Sequence, residues 1–236
     1  MIWVFLTIKM FANYHLLNQS EKRKVEKLIS VSFVKNQVLP MAKILTSNND
    51  TKKQVIIQKA AVLFKAKGYT AVSMRELAVA LGVEAPSLYN HIGSKGELLQ
   101  SICFKIGNIF IEQIERIGNS SATIVAKIET IIRFHIQMMV DNFDEVYVAN
   151  HEWKHLQEPL LTDFLTTRRN YEKTLVALIE TGIEKNEIKK INPYVVVLTI
   201  LSAVRGLEIW QRNNKNISAI ELEDDMVNHL LTGLVK

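Results

Sequence analysis

From residue 51 onward, apolar residues recur at three- and four-residue spacing, a pattern that predicts a succession of amphipathic helices. Val55, Ile56, Ala60, Leu63 and Phe64 make one stripe over 51–67, with Asp50 or Thr51 placed to cap it and Gly68 to end it. Leu77, Ala78 and Leu81 make a second, shorter stripe. It opens on Ser73 and Glu76, whose spacing is that of a capping box. Gly82 falls where the chain must leave that helix with positive φ, and Val83 is expected to turn back into the core. Pro86 belongs in the first turn of a third helix, with Leu88 and Ile92 pointing inward. Ser94 and Glu97 then open a helix over 95–117, stopped by Gly118-Asn119-Ser120-Ser121. Further helices are predicted over 122–141, 143–157, 160–186, 193–213 and 219–234, punctuated by Pro159, Asn192-Pro193 and Ser218. With four prolines, nine glycines and long periodic runs, the fold class is all-α.

Two short helices joined by a glycine turn, the second led by proline, form a helix-turn-helix, whose second helix is the one that enters a DNA major groove. The polar side of that helix carries Ser87, Tyr89, Asn90 and His91. Charge is distributed accordingly. Residues 1–40 hold six basic and two acidic residues, residues 41–96 eight and three, and residues 97–236 fifteen and nineteen. A basic head on an acidic body suits a DNA reader with a separate second domain, and implies binding that weakens steeply with salt. Taken singly, each lysine is as readily a solvated surface charge. The domains are therefore read as an N-terminal extension over 1–45, a three-helix DNA-binding domain over 46–96, and a C-terminal helical bundle over 97–236 for ligand binding and dimerisation.

The extension is the odd part. Met1 to Ile8 is apolar but stops at Lys9, too short to span a bilayer, and no basic run precedes it as in a signal peptide. It is read as a non-native start or unstructured, with Met41 the expected beginning of the native chain. The alternative is a basic arm touching DNA or membrane. Elsewhere no stretch reaches 18 uninterrupted apolar residues, so no membrane partner is expected.

Leu88-Tyr89-Asn90-His91-Ile92-Gly93-Ser94-Lys95-Gly96-Glu97-Leu98, together with Ala60 to Thr70 and Ser73 to Val83, resembles the DNA-binding signature of the TetR family of bacterial regulators. Ile92 where the family has Phe, and Glu84-Ala85-Pro86 where it often has Ser, are departures that bear on base preference. The resemblance implies a cytoplasmic, homodimeric regulator, a repressor, acting on a pseudo-palindromic operator in double-stranded DNA. It implies that Tyr89, His91 and Lys95 contact phosphates and that Ser87 and its neighbours contact base edges. The full set of candidate DNA contacts is Lys52, Ser73, Arg75, Glu84, Ala85, Pro86, Ser87, Tyr89, Asn90, His91 and Lys95. It also places the dimer interface on two apolar helices, one with Leu175, Val176, Leu178, Ile179 and Ile183, the other with Val195, Val197, Leu198, Ile200, Leu201 and Val204. An effector bound among the 97–212 helices would shift the 95–117 helix and spread the two heads.

The candidate effector contacts are Phe134, His135, Met138, His151, Trp153, Arg168, Tyr171, Arg205 and Trp210. Most aromatics and methionines at helical spacing are simply core. Arg205 differs, because a cation inside an apolar helix must meet Glu208, another acid or an anionic ligand. The segments around His151 and Arg168 loosely resemble the acyl-CoA-responsive branch of the family, which implies a small hydrophobic or acyl-CoA-type effector. Two rival readings stand beside this one. His151-Glu152-Trp153-Lys154-His155 fits the HExxH zinc-protease pattern, but no third ligand lies at an obvious spacing and Lys154 adds a cation there. A ligand-free dimer controlled by a protein partner would instead show a sealed core. Cys103, the one cysteine, excludes an internal disulfide and reads as a buried, inert thiol. No metal or cofactor is expected, and no enzymatic activity.

Overall fold

The computed structural model describes residues 48–213 and 217–235, so the predicted extension over 1–45 and its alternative as a DNA-binding arm lie outside the described residues. The described residues form ten α-helices: α1 (Asn48–Lys67), α2 (Met74–Leu81), α3 (Ala85–Tyr89), α4 (Lys95–Gly118), α5 (Ile124–Asp141), α6 (Phe143–His151), α7 (Leu160–Glu184), α8 (Pro193–Arg205), α9 (Leu207–Arg212) and α10 (Ala219–Thr232). One isolated antiparallel bridge, Ile188 to Val235, ties the end of α7 to the C-terminus.

The predicted punctuation is chemical and local. The Ser73 hydroxyl accepts from the Glu76 N–H, and the Glu76 carboxylate accepts from the Ser73 N–H at 2.8 Å, completing the capping box. That N–H, and then Lys67 at 3.0 Å, hold the Glu76 carboxyl down at about 2. Gly82 sits at φ 67° with its N–H turned back on α2, as a left-handed C-cap does. Ser94, Thr123, Asn192 and Ser218 each cap the following helix through a side-chain oxygen. Glu187 adds an anion at the start of α5, accepting from Ile124 N–H at 2.7 Å.

Several predicted details shift. α1 begins at Asn48, so Thr51 lies inside it. Its inward row is Ile56, Ile57, Ala60, Ala61 and Phe64, while Val55 is 47% exposed. The row is rotated because α1 packs on α2 and α4 and also on α6. Val83 is 42% exposed, since Leu77, Leu88 and Ile92 already fill the core of the helix-turn-helix. The predicted 143–157 helix stops at His151, and Trp153–His155 forms a single 3₁₀ turn. The predicted 193–213 helix divides at Gly206 into α8 and α9.

The helix-turn-helix and the C-terminal helices share one continuous hydrophobic core. α4 runs from the head into the body, packing on α1, α5, α6 and α7. Polar ties reinforce the join: Lys65 pairs with Asp144, Lys53 with Glu97 at 3.0 Å, and Lys105 with the buried Glu145 at 2.8 Å. Gly182 marks the tightest packing, because a Cβ there would collide with Ile188 and Ile124. The 20 residues Pro193–Arg212 are long and apolar enough, by length and composition alone, to cross a membrane. One face of α8 packs on α5 and α7. Its other face is bare: Tyr194, Val195 and Leu198 on α8, with Ile209 on α9, are 46–66% exposed.

Candidate functional site

Two sites emerge, one in the head and one in the body. In the head, α3 is five residues long and presents Pro86, Ser87 and Tyr89 outward, with Asn90 exposed at its C-cap. Glu84 is exposed at the N-cap, Ala85 is half-buried, and His91 lies half-buried in the turn beyond the helix. Leu88 and Ile92, each 1% exposed, anchor this segment from below. Lys52 and Arg75 are exposed and, with Lys59, make no ion pair among the described residues. Ser73 is exposed, but its hydroxyl is committed to the capping box.

Lys95 is engaged within the chain. Its ammonium donates to the carbonyls of Val72 at 2.8 Å, Tyr69 at 3.0 Å and Thr70 at 3.3 Å, and lies 4.5 Å from the centre of the Tyr69 ring. An ammonium has three protons, so all are engaged. In this conformation Lys95 is a strut across the α1–α2 loop. Lys53, Lys65 and Lys67 are likewise paired within the chain. The basic surface left for DNA is thus narrower than the charge count suggests.

In the body, a cavity of about 120 Å³ lies among α4, α5, α6, α7 and α8. Ile106, Gly107, Phe110, Met139, Val146, Ala149, Phe164, Leu201 and Val204 line it with apolar surface. The polar lining is His135, Asn150, Thr167, Arg168, Tyr171, Glu172 and Arg205. Of the nine predicted effector residues, His135, Arg168, Tyr171 and Arg205 meet here. The other five do not. Phe134 lies behind Phe110, edge-on at 5.3 Å. Met138 faces away, and Met139, about 100° further round α5, takes its place. His151 Nε2–H donates to the Glu208 carboxylate at 2.8 Å, and the ring packs on Tyr147. Trp153 sits outside the lining with Arg168 over its ring at 5.9 Å, and Trp210 is half-buried on α9. Phe110, Phe164, Asn150 and Thr167 escaped the sequence reading. Only the three-dimensional crossing of α4, α6 and α7 selects them from other core positions.

Electrostatics distinguish the cavity from ordinary core. Arg168 and Arg205 form no ion pair among the described residues, the expected partner Glu208 being taken by His151. Desolvation, then the neighbouring Arg205 charge, lowers the Arg168 pKa. The His135 imidazole is within 2.6 Å of the Tyr171 hydroxyl. Burial pushes His135 down to about 4 and raises Tyr171, so both are neutral. Between about pH 4 and pH 6.5 the unfolded chain carries a proton on this histidine that the folded chain lacks. Stability present above pH 6.5 is therefore lost as the pH falls toward 4. Urea titrations at pH 7 and pH 5 should show His135→Phe losing less than the wild type, by about 2 kcal/mol. An equal loss in both would show that His135 titrates normally.

The HExxH geometry does not form. The motif needs both histidines on one face of a continuous helix. Here the helix ends at His151, and His155 lies on the 3₁₀ turn, stacked on Tyr69 at 5.2 Å and paired with Glu152 at 3.4 Å. Burial pushes the Cys103 thiol up to about 12, as for an inert core residue.

A capped helix-turn-helix fused through α4 to a helical body with an internal cavity defines a DNA-binding transcriptional regulator with a ligand-binding domain. Residues 56–102 match the model of bacterial regulatory proteins of the tetR family, and residues 121–234 match the tetracyclin repressor-like C-terminal domain. The chain belongs to the TetR family. It is 21% identical over 198 residues to the HTH-type transcriptional repressor KstR2 of Mycolicibacterium smegmatis, covering 83% of this chain and 97% of that one. The ketosteroid transcriptional regulator KstR2 of Mycobacterium tuberculosis superposes with a TM-score of 0.73 at 18% identity, covering 81% of this chain and 97% of that one. AibR, solved with isovaleryl coenzyme A and operator DNA, gives 0.67 at 24% identity, with coverages of 76% and 97%.

Proposed function

We propose that this protein is a cytoplasmic, homodimeric repressor released from its operator by an acyl-CoA thioester with a short acyl group. The observation that carries the reading is the cavity: an apolar, aromatic pocket bordered by two guanidinium groups, Arg168 and Arg205, and one carboxylate, Glu172, with no salt bridge closed among them. Such a site suits an amphipathic anion, since guanidinium groups at the mouth of an apolar pocket form charge-assisted hydrogen bonds to an acidic head while the pocket takes the tail. Arg205, exposed on α8, suits the phosphates; Arg168, half-buried and further in, suits the carbonyl end. The volume limits the chain inside. A dry cavity of roughly 150 Å³ holds benzene, so about 120 Å³ holds about four to six carbon atoms. A relative of this fold solved with isovaleryl coenzyme A supports the same ligand class.

The DNA face is α3 with Ser87, Tyr89, Asn90 and His91, flanked by Lys52 and Arg75. The bare face of α8 and α9 supports two-fold pairing with α7 into a four-helix bundle, setting two α3 helices on successive major grooves. Effector binding biases α4, which lines the cavity through Ile106, Gly107 and Phe110 and begins at Lys95 beside α3. Control by a protein partner alone would fit a sealed core better than a cavity.

Gel-shift titration of the operator with an acyl-CoA series tests the reading. Isovaleryl-CoA should release wild-type protein, and Arg168→Gln should need about tenfold more while binding DNA normally in its absence. Operator affinity that no acyl-CoA changes would overturn the effector class.

A further inference from the structure

We infer that Tyr171 and His135 form a polar reader inside the cavity, selecting an effector whose short chain carries a hydroxyl or oxo oxygen over the plain hydrocarbon chain. The inference rests on the proposed effector site and narrows its ligand.

The pair lies in the cavity wall, His135 from α5 and Tyr171 from α7, joined at 2.6 Å. It is set in aromatic surroundings, with the Phe110 ring 4.7 Å from the imidazole and 5.8 Å from the phenol. An apolar tail alone would be met better by apolar side chains, since buried polar groups cost free energy unless hydrogen-bonded. Mutual pairing satisfies only part of that requirement. A neutral imidazole has one donor and one acceptor nitrogen; a phenol has one donor and two lone pairs. Among the described residues the Tyr171 hydroxyl makes no other hydrogen bond. If it donates to Nε2, its lone pairs remain to accept from a ligand hydroxyl. If Nε2–H donates to it, its own proton remains to donate to a ligand carbonyl. In either tautomer the phenolic oxygen offers the cavity one unused hydrogen bond.

Arg168 and Tyr171 are three residues apart on α7 and both line the cavity, so a short chain whose carbonyl end meets Arg168 can carry an oxygen a few atoms further on to Tyr171. Two sources supply that chemistry, a free 3-hydroxy or 3-oxo acid and its CoA thioester.

Calorimetric titration of the full-length protein with 3-hydroxybutyryl-CoA, butyryl-CoA and the two free acids tests this. The hydroxylated member of the bound pair should bind about tenfold more tightly. Tyr171→Phe, which keeps the ring, should erase that preference. The pair that binds identifies thioester or acid as the source. Equal affinities in the wild type, or a preference that survives Tyr171→Phe, overturn the inference and leave the effector site standing. Failure of all four to bind overturns both. The comparison of ligands on wild-type protein needs no variant, so a poorly folding Tyr171→Phe does not decide the outcome.

Discussion

Leu198→Glu should leave the chain folded and cost it its operator. Leu198 is 51% exposed at the centre of a bare strip that includes Val195 at 46% and Ile209 at 66%. The strip lies along α8 and α9, on the side turned away from α5 and α7. Charge there disturbs nothing inside one chain, so thermal stability of the isolated subunit should change little. Two carboxylates facing each other across a two-fold axis would instead be desolvated and unpaired. A dimer holds both half-sites at once, and losing that linkage lowers apparent affinity by about 10²–10⁴-fold. Sedimentation should show a monomer, and gel shifts should show the matching loss. A variant that stays dimeric would move the interface elsewhere.

The second large effect concerns Lys95→Met. If Lys95 is the strut its three carbonyl contacts describe, its loss leaves three acceptors without their donor and frees the α1–α2 loop. Stability should fall by about 2 kcal/mol, and operator affinity should fall through disorder of the head. The salt dependence of binding should then keep its slope. If Lys95 instead swings out to a phosphate in the complex, the slope of log affinity against log salt should drop by about one with stability intact. Thermal melts and binding at several salt concentrations separate the two.

The head was legible in the sequence because its determinants act over three or four residues. Ser73 and Glu76, Gly82, and Pro86 each fix their own turn by hydrogen bonding or dihedral preference, without reference to the rest of the chain. The cavity was legible only in part. Arg168, Arg205, His135 and Tyr171 stood out because charged or polar groups are conspicuous on apolar helices. Met138 and Met139 differ by one helical step, and only the contacts of α5 decide between them. Trp153 stands outside the lining because α6 ends at His151, a boundary that depends on the 3₁₀ closure of residues 152–156. The carbonyl contacts of Lys95 were not legible for a related reason: its acceptors lie 23 to 26 residues earlier, where no local pattern reports them.

The continuous core between head and body also bears on engineering. Phe64 and its neighbours on α1 pack with α6, Lys65 pairs with Asp144, and Tyr69 stacks on His155. Residues 48–96 are thus not a portable module. A chimera that grafts another recognition head onto this body has to transplant the matching surface of α6 and the turn after it, or the hybrid will read its new sequence with the sensor disconnected.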